Sequence, residues 1–160
     1  MSILVDTGIF YAFYNKKDIH HLDSICILVH AMEGRWGRIY VTNLIVAETV
    51  TLLRYRISLN AAISFLEALR KSGITILFMD ETAYNEAIKI LKKYPDKQLS
   101  FADAFSINVL SELKINYLAT YDERSFKGIG IINKIIGNKY SKTLTKKELE
   151  RILAKIQLKY

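Results

Sequence analysis

The chain has 160 residues, 51% of them apolar and 24% charged, with one proline, one cysteine and a formal net charge of +7. That length suits one hydrophobic core, and the balance of apolar to charged residues excludes a disordered chain. A lone cysteine, Cys26, excludes internal disulfides and multi-cysteine zinc sites and reads as a small buried helix residue.

In chain order, a strand is predicted at Ser2–Val5, stopped by Asp6. No stretch approaches the roughly 18 apolar residues of a membrane span and no secretion signal is evident, so a cytoplasmic protein without membrane contact is expected. Apolar recurrence at i, i+3 and i+4 predicts helices over 18–33, 44–56, 60–71, 82–93 and 101–113, with strands at 39–41, 74–78, 117–120 and, more weakly marked, 130–133. Gly73 follows its helix as a C-terminal glycine should, and Asp80 reads as the N-cap of the helix after it. Pro95 and Asp96 mark a turn. Near the end, Thr145 and Glu148 have capping-box spacing, and Leu149, Ile152, Leu153 and Ile156 share one face. That predicts an amphipathic terminal helix, to be covered by the body, a second copy or a partner. The alternation of elements implies a three-layer α/β/α fold with a parallel sheet of four to five strands.

The charge is unevenly placed. Up to Phe126, fourteen Lys and Arg balance fourteen Asp and Glu, whereas the remainder holds nine basic residues against Glu148 and Glu150. A basic tail suits contact with phosphate backbones, or is simply a solvated surface.

Four acids stand where acids are least expected. In an open α/β sheet, ligands bind beyond the carboxyl ends of the strands. Asp6 ends the first strand, and Asp122 lies just past the strand running to Thr120. Helical spacing puts Glu48 on the stripe of Leu44, Ile45 and Leu52, and Asp103 on the face of Ile107 and Leu110. A buried isolated carboxylate costs several kcal/mol or becomes protonated. Local explanations exist for each: a cap with Ser100 for Asp103, an ion pair with Arg54 or Arg56 for Glu48, a strand-end cap for Asp6, a turn for Asp122. One divalent cation explains all four together, and Mg²⁺ or Mn²⁺ suits such hard oxygen ligands. His20, His21 and His30 are too poorly spaced to favour a zinc site.

Together these residues resemble the PIN-domain superfamily, and most closely its VapC-type toxins. Leu4-Val5-Asp6-Thr7-Gly8 with Phe10, Tyr11 and Ala12 is similar to the first acidic motif, and Glu48 with Leu52, Leu53 and Arg54 to the second. Leu99-Ser100-Phe101-Ala102-Asp103-Ala104 matches the third, and Ala119-Thr120-Tyr121-Asp122 with Phe126 the fourth. The likeness covers residues 1–133, read as the nuclease domain. Residues 134–160 are read as a basic extension whose helix packs on the same domain or a partner. No acid precedes Asp122 in its motif while Glu123 follows, which departs from the family pattern and leaves room for a variant metal shell.

The resemblance implies an Mg²⁺- or Mn²⁺-dependent endoribonuclease that hydrolyses RNA to a 5′-phosphate and a 3′-hydroxyl, a homodimer, and a small antitoxin as partner. It implies Asp6 and Asp103 as direct ligands, with Glu48 and Asp122 completing the shell or orienting the attacking water. Thr7, Ser100 and Thr120 are candidate donors to the carboxylates, or plain cap hydroxyls. Arg54, Arg56, Arg124 and Lys127 are candidate substrate contacts by charge, and Tyr11, Tyr14 and Phe126 are stacking candidates or core residues. Alternatives are a housekeeping PIN nuclease in rRNA or mRNA processing and a silent RNA-binding PIN module. A haloacid-dehalogenase-type phosphatase wants an acid where Gly8 stands, and a receiver domain wants an early acidic pair that is not evident.

Overall fold

The computed structural model describes residues 1–157. Its sheet has five parallel strands: β1 (Ser2–Val5), β2 (Arg38–Thr42), β3 (Thr75–Leu77), β4 (Tyr117–Ala119) and β5 (Lys134–Ile136), in the order β3-β2-β1-β4-β5. From the central β1 the chain builds β2 and β3 to one side, then crosses to build β4 and β5 on the other. The order therefore reverses between β1 and β4, the position beyond whose strand ends an open α/β sheet commonly binds its ligand.

Helices cover both faces, as a parallel sheet requires. They are α1 (Thr7–Tyr14), α2 (His21–Met32), α3 (Asn43–Arg56), α4 (Leu59–Lys71), α5 (Glu81–Lys93), α6 (Phe101–Glu112), α7 (Glu123–Phe126) and α8 (Lys146–Gln157), with a 3₁₀ turn at Tyr140–Thr143. Side chains alternate across the pleat. Ile3, Val5, Ala119 and Ile136 join Phe10, Ile27, Ile45 and Phe65 under α1 to α4. Leu4 and Leu118 join Phe105, Leu110 and Phe126 under the opposite layer of α6 and α7. The expected three-layer α/β/α fold is present.

Some elements differ from their sequence-based placement. The run Thr7–Tyr14, unassigned above, is helical, and the next helix starts at His21 rather than residue 18. The fifth strand lies at Lys134–Ile136 and not at 130–133, so a boundary at 133/134 runs through the sheet. Ile129 is instead buried against Phe126. Helix caps follow expectation: the Asp80 carboxylate accepts from the Ala83 amide at 2.8 Å, and Gly73 sits past the end of α4 at φ +75°, a conformation that favours glycine.

The terminal helix is covered by the body. Ile152 is fully buried among Ile25, Cys26 and Val29, with Leu149 and Ile156 packed beside them. Arg151 forks onto Glu33 at 2.7 and 3.0 Å, and Lys155 reaches the same carboxylate at 2.7 Å. Thr145 caps the helix by accepting from the Glu148 amide, but the Glu148 carboxylate does not turn back to close a capping box. It meets the buried His30 Nε2 at 2.8 Å, while His30 Nδ1 meets the Tyr140 hydroxyl at 2.7 Å. Residues 158–160 of the extension lie outside the described residues. No helix among the described residues is long and apolar enough to cross a membrane.

Candidate active site

The reversal point gathers the four acids by ordinary local rules. Asp6 follows β1 and caps α1, its Oδ1 accepting from the Thr7 amide at 2.8 Å. Asp122 follows β4 by a short turn and caps α7, accepting from the Ser125 amide at 3.1 Å and the Ser125 hydroxyl at 2.6 Å. Glu48 lies in the second turn of α3, which begins directly after β2. Asp103 sits in the first turn of α6, where it forms a capping box: its Oδ2 accepts from the Ser100 amide at 2.9 Å and its amide donates to Ser100 Oγ at 3.0 Å.

Two threonines connect three of these acids. Thr7 Oγ1 donates to Glu48 Oε2 at 2.8 Å, while the amide of the same residue holds Asp6. The fully buried Thr120 donates its hydroxyl to Asp6 Oδ2 at 2.7 Å and accepts from the Asp122 amide at 3.1 Å. Both hydroxyls thus fix carboxylate orientation. The Ser100 hydroxyl closes the cap by accepting from the Asp103 amide, and a side-chain hydrogen bond from Ser100 also lowers the Asp103 carboxyl, against the effect of burial.

Electrostatics joins the fourth acid to the rest. Burial pushes the Asp6 carboxyl up to about 6, against the lowering effect of the Thr120 and Thr7 bonds, and the charges of Asp103 and Glu48 push it further. Asp103 is also raised, chiefly by burial, with Asp122 and Glu48 adding repulsion. Such mutual repulsion needs the four carboxylates to share one region. Among the described residues none of them forms an ion pair with Lys, Arg or His.

An all-oxygen donor set with uncompensated negative charge fits a hard divalent cation. Among the described residues, however, no three Asp, Glu, His or Cys side chains already converge on one metal position. One Asp103 oxygen and both Asp122 oxygens are engaged within their own helix caps. A cation that drew on those particular oxygens would have to share or replace the cap bonds.

Burial corrects one premise drawn from sequence. Glu48 is exposed, because the buried stripe of α3 is Ile45, Thr49 and Leu53. It pairs with neither Arg54 nor Arg56, which are exposed near the far end of that helix. Six residues of helix separate Glu48 from Arg54, about 9 Å along the axis. Arg124 lines a cleft beside Asp122, whereas Lys127 lines a different one with Glu123 and Ile129. The Glu123 carboxylate accepts from Asn138 at 3.2 Å. Phe126 is buried, and Tyr11 and Tyr14 pack on the core. His20 stacks on Tyr121, His21 Nδ1 lies 2.7 Å from the Ala12 carbonyl and His30 is buried, so the three histidines gather no metal site. Sequence reasoning missed Ser125, whose hydroxyl holds Asp122; its position three after a capping acid was the available signal.

A parallel sheet reversing between β1 and β4, with acids on both sides of the reversal, is the arrangement of a PIN domain, and the PIN domain model matches residues 3–132. The chain belongs to the PIN-domain family. A VapC ribonuclease of Archaeoglobus fulgidus is 42% identical over 156 residues, spanning 96% of this chain and 94% of that protein. Among solved structures, Mycobacterium tuberculosis VapC20, described as a sarcin-ricin loop cleaving toxin, superposes with a TM-score of 0.69 at 22% identity, covering 79% of this chain and 95% of its own. VapBC-1 from nontypeable Haemophilus influenzae gives 0.61 at 15% identity, covering 84% and 96%. At those identities the two structures speak for the fold.

Proposed function

We propose that the chain is an Mg²⁺- or Mn²⁺-dependent endoribonuclease, the toxin of a VapBC-type pair, acting in the cytoplasm. The similarity to a VapC ribonuclease over nearly the whole chain supports the ribonuclease reading. The observation that carries the site is the gathering of four acids without a basic partner at the sheet's reversal point.

In this reading Asp6 and Asp103 would hold the cation directly, with Glu48 and Asp122 completing its shell. Bound there, a divalent ion would polarise a phosphoryl oxygen and lower the pKa of a water, the two contributions such ions make to phosphodiester hydrolysis. The chain's own residues do the remainder. Thr120 keeps one Asp6 oxygen oriented, and the Thr7 amide keeps the other. Glu48 is exposed and held at one oxygen by Thr7, which leaves the other oxygen available to orient the attacking water and take its proton. Arg54, Arg56, Arg124 and Lys127 are proposed to contact RNA phosphates, Arg124 being the one beside Asp122.

Partners under this reading are RNA, a small antitoxin and a second copy of the chain. The exposed Tyr55 on α3, Ile57 just past its end, and Leu59 and Ile63 on α4 offer apolar surface for a protein contact. Incubation of the purified chain with structured RNA tests the proposal: cleavage with Mn²⁺, lost in chelator and in Asp6→Asn, is expected. Cleavage that survives both changes would overturn it.

A further inference from the structure

A polar cleft of about 500 Å³ opens beside Asp122, between the turn following α5 and the start of α7. Asp96, Lys97 and Gln98 line it from the turn, Asp122, Arg124 and Ser125 from the helix. Its size falls within the roughly 300–1,000 Å³ typical of sites for small ligands, enough for one nucleotide and too small for a duplex.

Three features mark it as built for an anionic, hydrogen-bonding ligand. Lys97 is half-buried, and its ammonium donates to the Lys127 carbonyl, which ties the turn that lines the cleft to the end of α7. Among the described residues neither Lys97 nor Arg124 forms an ion pair, although Asp96 and Asp122 line the same cleft. Gln98 has φ +53°, a left-handed conformation that costs a non-glycine residue energy and that clusters at binding sites. The exposed side chain of this lining residue is a carboxamide, both donor and acceptor.

Resting on the nuclease reading above, we propose that this cleft binds one unpaired ribonucleotide flanking the phosphodiester that is cut, with Arg124 and Lys97 on its phosphate and Gln98 on its base edge. Continuity with Asp122 puts such a nucleotide next to the acids. Recognition of a splayed base would favour single-stranded or looped RNA over duplex, since base edges within an RNA duplex are largely inaccessible. Arg124 supplies a planar fork for phosphate oxygens, and the tethered Lys97 a point charge.

The test uses the full chain and short fluorescent single-stranded oligouridylate and oligoadenylate, with binding measured in chelator and cleavage measured in Mn²⁺. Arg124→Gln and Lys97→Gln are expected to weaken binding by about five- to tenfold each. Each should flatten the salt dependence by about 0.7 in log–log slope, the value for one phosphate contact on a single strand. In the cleavage assay KM should rise with kcat little changed. Lys97→Arg, which keeps the charge and the tether, should restore affinity. Gln98→Ala should shift the ratio of affinities for the two oligomers without altering the salt slope. Unchanged affinity and slope in both charge variants would overturn the phosphate contacts, and an unchanged ratio would overturn base reading by Gln98. Binding that needs Lys97 and Arg124 without any Mn²⁺-dependent cleavage would keep the cleft and sink the nuclease reading. Cleavage indifferent to both substitutions would do the reverse. A chain that neither binds nor cuts RNA overturns both.

Discussion

Replacing Asp6 by Asn removes a charge that the metal-free fold is poorly equipped to hold. The Asp6 carboxyl is pushed from an ordinary value of 3.8 up to about 6, by burial first and by Asp103 and Glu48 after it. Between those two pH values the folded chain keeps a proton that the unfolded chain has already lost, so stability falls as pH rises through that window and levels off above it. A displacement of about two pH units corresponds to roughly 3 kcal/mol, and partial exposure of Asp6 reduces this to about 1–2 kcal/mol. For a chain of this size that is about 2–8 °C in Tm. In chelator at pH 7.5, Asp6→Asn should therefore melt above the natural chain by that amount, and the gain should vanish near pH 4. With Mn²⁺ the order should invert, because only the natural site gains stability from metal. A variant that melts below the natural chain in chelator, or a gain that ignores pH, would refute the reasoning.

Further expectations concern how the scaffold holds the site. A Cβ at Gly137 would lie 1.9 Å from the Thr120 carbonyl oxygen, so Gly137→Ala must displace the residue that orients Asp6. It should cost about tenfold or more in Mn²⁺-dependent cleavage. Gly130→Ala, whose Cβ meets nothing within 4 Å, should be close to neutral. Ile152→Ala should destabilise the whole fold by about 2–5 kcal/mol in denaturant melts, since this side chain is fully buried; an unchanged midpoint would mean that α8 is not part of the cooperative unit. Glu33 is held down to about 2, chiefly by its bond to Arg151 and then by Lys155. Its contribution is therefore present above about 4.5 and lost as pH falls toward 2. Fluorescence of Trp36, whose ring lies 5.7 Å from that of Tyr140 beside α8, should report a step in that range that Glu33→Gln lacks.

Most of the architecture was legible because it follows from patterns that survive tertiary context. The alternation of Ile3, Leu4 and Val5 across the sheet and the caps at Asp80 and Thr145 are of that kind. Helix α1 was not legible, because Thr7–Tyr14 is apolar almost all round and a helix buried on most sides shows no periodicity. Strand β5 was misplaced because two isoleucine pairs, 131–132 and 135–136, carry equal strand signal. Pairing of 134–136 with β4 decides between them, and nothing local announces it.

At the site, the choice of Asp6, Glu48, Asp103 and Asp122 came from motif and position; the structure brings them near enough to act on one another's charge, without closing three of them on one metal position among the described residues. The premise that Glu48 is buried failed for a specific reason. The inward stripe of α3 passes through Thr49, a polar residue that satisfies itself by donating to the Ile45 carbonyl at 2.7 Å. Counting apolar residues alone therefore chose a neighbouring face. The thread of Thr7 and Thr120 hydroxyls and the cleft at Lys97 and Gln98 depend on contacts between distant segments, which no local pattern encodes.

Cation binding also sharpens the role of the tail. Arg151 and Lys155 are already matched by Glu33, so among the described residues Lys127, Lys134, Lys139, Lys142, Lys146 and Lys147 are the basic residues to neutralise when testing tail contacts with RNA. Truncation after Asn133 would remove β5 and α8 along with the charge, and so tests stability instead.

Anomalous diffraction from crystals soaked in manganese bears most directly on the central claim. One strong peak ringed by oxygens of Asp6 and Asp103, with Glu48 and Asp122 within reach and Asp103 loosened from the Ser100 amide, is the predicted result. No peak among these carboxylates, with Asp103 and Asp122 still closed on their caps, would contradict it.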